Sequence, residues 1–148
     1  MKLVEMAEAY LRQASFRLRY AGDALRAGNH PYALRLSQEC VELSLKAALR
    51  LVGIEYPKVH DVSGVLMDHA DRFPDWFRER LEFMAETSAT LAAKREIAFY
   101  GGEKALLTPE EAISRGEAER ALEAAEEIHN LCMRLLSDIK KGVGMGNL

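Results

Sequence analysis

The stretch PYALRLSQECVELSLKAALRLV, residues 31–52, decides the fold. Twelve of its positions (Ala33, Leu34, Leu36, Cys40, Val41, Leu43, Leu45, Ala47, Ala48, Leu49, Leu51 and Val52) are apolar at helical rather than alternating spacing. That is more apolar surface than one packing face requires, so the helix is expected to be covered by two partners. Its one polar stripe, Arg35, Glu39, Glu42, Lys46 and Arg50, steps by four, three, four and four, which lets opposite charges pair along a single face. Pro31 suits a first helical turn, and Gly53 closes the segment.

On the N-terminal side, Leu11, Ala14, Leu18, Ala21 and Leu25 predict a helix from about Val4 to Ala27, ended by Gly28. On the C-terminal side, Pro57 disfavours helix at Tyr56, so residues 54–59 read as an extended loop. His60 or Asp61 is expected to cap a short helix over 62–70. Pro74 then opens a helix whose stripe of Trp76, Phe77, Leu81, Met84 and Leu91 continues to about Tyr100, where Gly101 and Gly102 stop it. Trp76, Phe77, Phe83 and Phe99 are expected in the core. Thr108-Pro109-Glu110-Glu111 predicts a turn, and Ser114-x-x-Glu117 starts a last amphipathic helix that reaches about Lys140. The expected architecture is all-α: an up-down four-helix bundle with one additional short helix, formed by residues 1–141 as one domain, with 142–148 a flexible tail.

With 148 residues, 49% hydrophobic and 29% charged, the composition is that of a folded domain and excludes a disordered chain. The net charge of −3 gives no global field for nucleic acid, so any RNA contact must be local. No apolar run approaches a membrane span, and the N-terminus lacks a signal-peptide core, so the expectation is a cytoplasmic protein without membrane association. Cys40 and Cys132 are read as buried hydrophobes. His129 and Cys132 lie three apart, but a metal there would lack two ligands, so no metal or cofactor is expected.

Gln38, Glu42, Lys46 and Ala47, followed by Gly53 and His60-Asp61, resemble the signature of HEPN domains, with Gln-x-x-x-Glu-x-x-x-Lys-Ala, a glycine and then His-Asp before a short helix. The resemblance covers nearly the whole chain, including residues 95–103 and the alanine-rich last helix. It implies a four- or five-helix bundle that dimerises. In nuclease members RNA is cleaved without metal through an Arg-x(4 to 6)-His motif whose two copies meet across the dimer. Arg95 aligns with the motif arginine, but the histidine positions hold Tyr100, Gly101 and Gly102. A tyrosine phenol, with an ordinary pKa of about 10, is a poor base at neutral pH. The tyrosine modified in a toxin subgroup would fall on Gly102, Glu103 or Lys104, so it is not carried over either.

Three functional expectations follow. The first is a homodimeric, non-catalytic or weakly catalytic nucleotide- or RNA-binding protein that pairs, as toxin–antitoxin relatives do, with a minimal nucleotidyltransferase. Its ligand residues are Arg95, Tyr100, Gly101 and Gly102, and its interface residues are Gln38, Glu42, Lys46 and Tyr100, on the second helix and the end of the fourth. The second is a metal-independent ribonuclease in which Glu42, Lys46 or Tyr100 joins Arg95. The third is a purely structural dimerisation module.

Overall fold

A computed structural model describes residues 2–142. Four long helices make the bundle: α1 (Lys2–Arg26), α2 (His30–Leu51), α5 (Leu81–Tyr100) and α7 (Arg115–Lys141). Three short helices, α3 (Ser63–Asp68), α4 (Asp75–Arg78) and α6 (Pro109–Ala112), lie in the connections. Among the described residues there is no strand, only a lone antiparallel bridge between Gly102 and Leu107. The expected flexible tail over 143–148 lies outside the described residues.

Helix α2 is central. It packs on α1, α7 and α5, three partners rather than two, and buries Ala33, Leu34, Cys40, Val41, Leu45, Ala47, Ala48 and Leu49. The sequence permits this because small residues line the facing helices: Ala7, Ala14, Ala21 and Ala24 on α1, and Ala118, Ala121 and Ala125 on α7, are all buried. Alanine lets helix axes approach closely while the leucines interdigitate. Cys40 and Cys132 are both fully buried, and loss of solvent pushes the Cys40 thiol up to about 12, where it is inert.

The ends are fixed by local chemistry. Asn29 Oδ1 accepts the Tyr32 N–H at 3.3 Å. Thr108 and Ser114 each form a full capping box with Glu111 and Glu117, so the expected turn at Thr108 is a one-turn helix. The expected continuous helix from Pro74 to Tyr100 is instead broken at residues 79–80. There the Arg80 N–H bonds the Phe77 carbonyl at 3.0 Å in a tightened turn. Phe77, fully buried, stacks on Phe73 at 4.7 Å and meets Trp76 edge-on at 5.7 Å. Periodicity does not reveal the break, because Phe77 and Leu81 are four apart and look like one stripe.

His60 does not cap α3. Asp61 does the local work: its Oδ1 accepts the Ser63 N–H at 2.9 Å and the Ser88 hydroxyl at 3.0 Å, and the Ser88 oxygen accepts the Val62 N–H at 3.1 Å. Burial works to raise the Asp61 carboxyl, but the bonds from Ser63 and Ser88 outweigh it and hold it below the usual range.

After α5 the chain closes on itself. Gly101 has φ 74° and ψ −166°, a region open in practice only to glycine, and a Cβ there would lie 2.1 Å from the Leu107 carbonyl oxygen. Gly102 and Leu107 exchange both backbone hydrogen bonds, at 3.0 and 2.9 Å. Gly28 also has positive φ (82°), yet a Cβ there would meet nothing within 4 Å. Gly28→Ala is therefore expected to cost about 1 kcal/mol from backbone conformation alone. Gly101→Ala should cost at least roughly 2–3 kcal/mol. Urea unfolding of the two variants checks this, and equal losses would show that the close approach at Gly101 carries no energy.

Candidate functional site

The polar stripe of α2 is the one face of that helix not given to the core, and side chains from α1, α5 and the α2–α3 loop converge on it. Glu39 is met by three guanidinium groups: Arg17 Nε from α1 at 3.2 Å, Arg35 Nε from α2 at 3.4 Å and Arg95 Nη1 from α5 at 3.4 Å. Beside it, Gln38 is only 2% exposed, and both ends of its amide are engaged. Its Nε2 donates to Glu42 Oε1 at 3.0 Å and its Oε1 accepts Arg95 Nη1 at 2.7 Å. Glu42 in turn accepts Lys46 Nζ at 2.8 Å on Oε2 and His60 Nδ1 at 2.8 Å on Oε1.

Arg17, Glu39, Glu42, Leu43, His60 and Arg95 line a cleft of about 190 Å³. Burial works to raise the Glu42 carboxyl, but bonds from Lys46, Gln38 and His60, with the charge of Lys46, outweigh it and hold it low. An ionised Glu42 fixes Nδ1 of a neutral His60 ring as the donor. The ring is exposed, and Nε2 has no partner among the described residues.

The expected site residues divide into separate places. Arg95 and Glu42 both line the cleft, bridged by Gln38, and Lys46, which does not line it, is held against Glu42. Tyr100 does not line that cleft: it is 64% exposed and stacks on Phe99 at 5.6 Å. Phe99, expected in the core, is 40% exposed, with Arg35 over its ring at 3.8 Å and Arg95 at 5.6 Å. Gly101 and Gly102 border a different groove with Ile97, Glu103 and Lys104, and the close approach that glycine permits there is taken by residues 107–109 of the same chain. Gln38, Glu42 and Lys46, expected at a subunit interface, have their polar groups engaged within one chain.

Sequence reasoning missed Arg17, Glu39 as a hub, and His60 as a cleft residue. Glu39 left a signal as the member of the polar stripe one turn from Arg35, and His60 left one as half of the His-Asp pair in the family signature; Arg17 left none. Among the described residues no group of three or more acidic, histidine or cysteine side chains could hold a metal, and no helix is long and apolar enough to cross a membrane.

Because the folded-state pKa of Glu42 is depressed, its contribution is fully present above the unfolded value of about 4.3 and is lost as pH falls through the folded value. Glu42→Ala takes the acceptor away from Lys46 Nζ and Gln38 Nε2, so it should cost roughly 2–4 kcal/mol at pH 7. That difference should shrink steadily below about pH 4.3. Chemical unfolding of both proteins across pH 3–7 measures it, and a gap independent of pH would exclude an ionised Glu42 as the anchor.

Comparison with known proteins places the chain in a family. No curated protein sequence matches the chain. The crystal structure of an archaeal HEPN homologue is similar at 23% identity and a TM-score of 0.48, over 92% of this chain and 96% of that one. A family model described as HEPN domain matches residues 7–136, nearly the whole chain. The protein therefore belongs to the HEPN family.

Proposed function

We propose that this HEPN protein is a homodimeric nucleotide- or RNA-binding protein whose phosphate-recognition site is the cleft of Arg17, Arg95 and His60. The observation that carries the reading is the local excess of positive charge in a chain whose net charge is −3: Arg17, Arg35 and Arg95 surround one carboxylate, while Glu42 is already matched by Lys46. Guanidinium groups at a partly dry cleft are the usual way to bind phosphate oxygens, and they supply a local attraction that net charge conceals.

The dimer is proposed to form through the exposed aromatics Tyr32, Phe99 and Tyr100 beside Arg35, which supply an unburied apolar and cation–π surface next to the cleft. Most of the apolar surface of α2 is already covered by α1, α5 and α7, so the end of α5 is the better candidate. Resemblance to toxin–antitoxin relatives extends the proposal to a separately encoded minimal nucleotidyltransferase as a second partner. With Gly102, Glu103 and Lys104 where the modifiable tyrosine would stand, that partner would find no tyrosine to modify there.

A ribonuclease reading is favoured by one specific observation, the presence of His60 and Arg95 in the same cleft with Glu42 orienting the ring. In such a reaction the 2′-oxygen attacks phosphorus as the P–O5′ bond breaks. His60 Nε2 accepts the 2′-hydroxyl proton, Arg95 meets the charge on the phosphoryl oxygens, and water protonates the leaving 5′-oxygen. Tyr100 does not line this cleft, and Lys46 is held by Glu42.

Fluorescence anisotropy with a labelled single-stranded RNA that carries a 5′-terminal phosphate, in metal-free buffer at low salt, tests the binding site. Arg95→Ala is expected to weaken binding about ten-fold or more. Unchanged affinity would remove the cleft as the site. If the wild type cleaves the RNA and His60→Ala does not, the ribonuclease reading replaces the non-catalytic one. Tyr100→Asp should convert the dimer to monomer in sedimentation equilibrium, and an unaltered mass would move the interface elsewhere.

A further inference from the structure

Resting on the reading of the cleft as a phosphate site, we infer that it is built for a terminal phosphate monoester, and that Glu39 occupies it as a resident anion which the ligand displaces. Three guanidinium groups from three helices share the two oxygens of one carboxylate, so three positive charges face a single negative one. The separations of 3.2, 3.4 and 3.4 Å are long beside the roughly 2.7–2.9 Å of a well-formed charge-assisted bond. Glu39 therefore satisfies none of the three fully. A phosphate monoester carries about two negative charges and three terminal oxygens, enough for one oxygen per guanidinium. A backbone diester has one charge and two such oxygens, no better than Glu39 itself.

Each arginine also has an anchor that is not an anion. Arg17 Nη1 donates to Gln13 Oε1 at 2.7 Å, Arg95 Nη1 donates to Gln38 Oε1 at 2.7 Å, and Arg35 lies over Phe99 at 3.8 Å and Tyr32 at 5.3 Å. Neutral amides and aromatic faces orient the three cations without cancelling their charge, so they hold position when Glu39 swings away. Glu42 differs: Lys46, Gln38 and His60 saturate it, and it has no reason to leave. The cleft between the two carboxylates is where the rest of a monoester ligand, the ester oxygen and what it carries, extends past His60.

The test titrates inorganic phosphate and, separately, dimethyl phosphate into the full-length protein at matched ionic strength, following the Arg17 and Arg35 Nε–H signals by NMR. Both arginines hold Glu39 through Nε, so displacement is read at the bond that breaks. Inorganic phosphate should shift both signals, with dimethyl phosphate binding about ten-fold more weakly or worse, and E39Q should bind inorganic phosphate about ten-fold more tightly than the wild type. Equal affinity for the two anions, or no gain in E39Q, overturns the inference. If E39Q does not fold, the comparison of the two anions on the wild type decides alone. Arg95-dependent RNA binding together with equal anion affinities would sink the monoester site and leave the cleft as a backbone-phosphate site. Absence of Arg95-dependent RNA binding would count instead against the cleft reading.

Discussion

The rest of the structure depends on the burial of α2 on three sides. A helix covered by α1, α5 and α7 has one narrow face left for polar groups, and every charge on that face sits close to side chains of its neighbours. Charges so placed must be paired or hydrogen-bonded, because an unpartnered one in a half-dry environment costs several kcal/mol. The cleft is the result of that constraint: Gln38, Glu39, Glu42 and Lys46 draw Arg17, Arg95 and His60 in from three other segments.

Two carboxylates one turn apart on the same stripe have been given different duties. Glu42 is matched in charge by Lys46 and in hydrogen bonds by Gln38 and His60, which makes it a structural anchor and fixes the orientation of the imidazole. Glu39 is outnumbered by cations and bound loosely by each. Individually, partly exposed pairs of this kind contribute little to stability, about 0–1 kcal/mol. Their importance lies in the excess charge they leave and in the direction they aim it.

The end of α5 shows how one feature can carry two meanings in sequence and one in space. Adjacent glycines after Tyr100 could admit a ligand or a piece of chain, and the positive φ of Gly101 with the Leu107 carbonyl against it shows which. With the loop closed in this way, Phe99 and Tyr100 stay on the surface, and Phe99 becomes the aromatic floor for Arg35 rather than a core residue.

The sequence by itself determined the helical class, the bounds of α1, α2 and α7 to within a few residues, the end of α5 though not its start, the capping boxes at Thr108 and Ser114 and the pairing of Glu42 with Lys46. Each of these rests on interactions between residues three or four apart, and such spacings are visible in one dimension. Family membership was legible for a related reason, since Gln38, Glu42, Lys46 and His60-Asp61 form a pattern along the chain. Only the tertiary structure decided that Arg17 and Arg95 share Glu39 from positions 22 and 56 residues away, that His60 turns back to Glu42 instead of capping α3, and that Tyr100 stacks on Phe99 outside the cleft. No local spacing encodes these contacts, because they depend on how closely alanine-lined helices approach α2 and on where the breaks at residues 79–80 and 101 turn the chain.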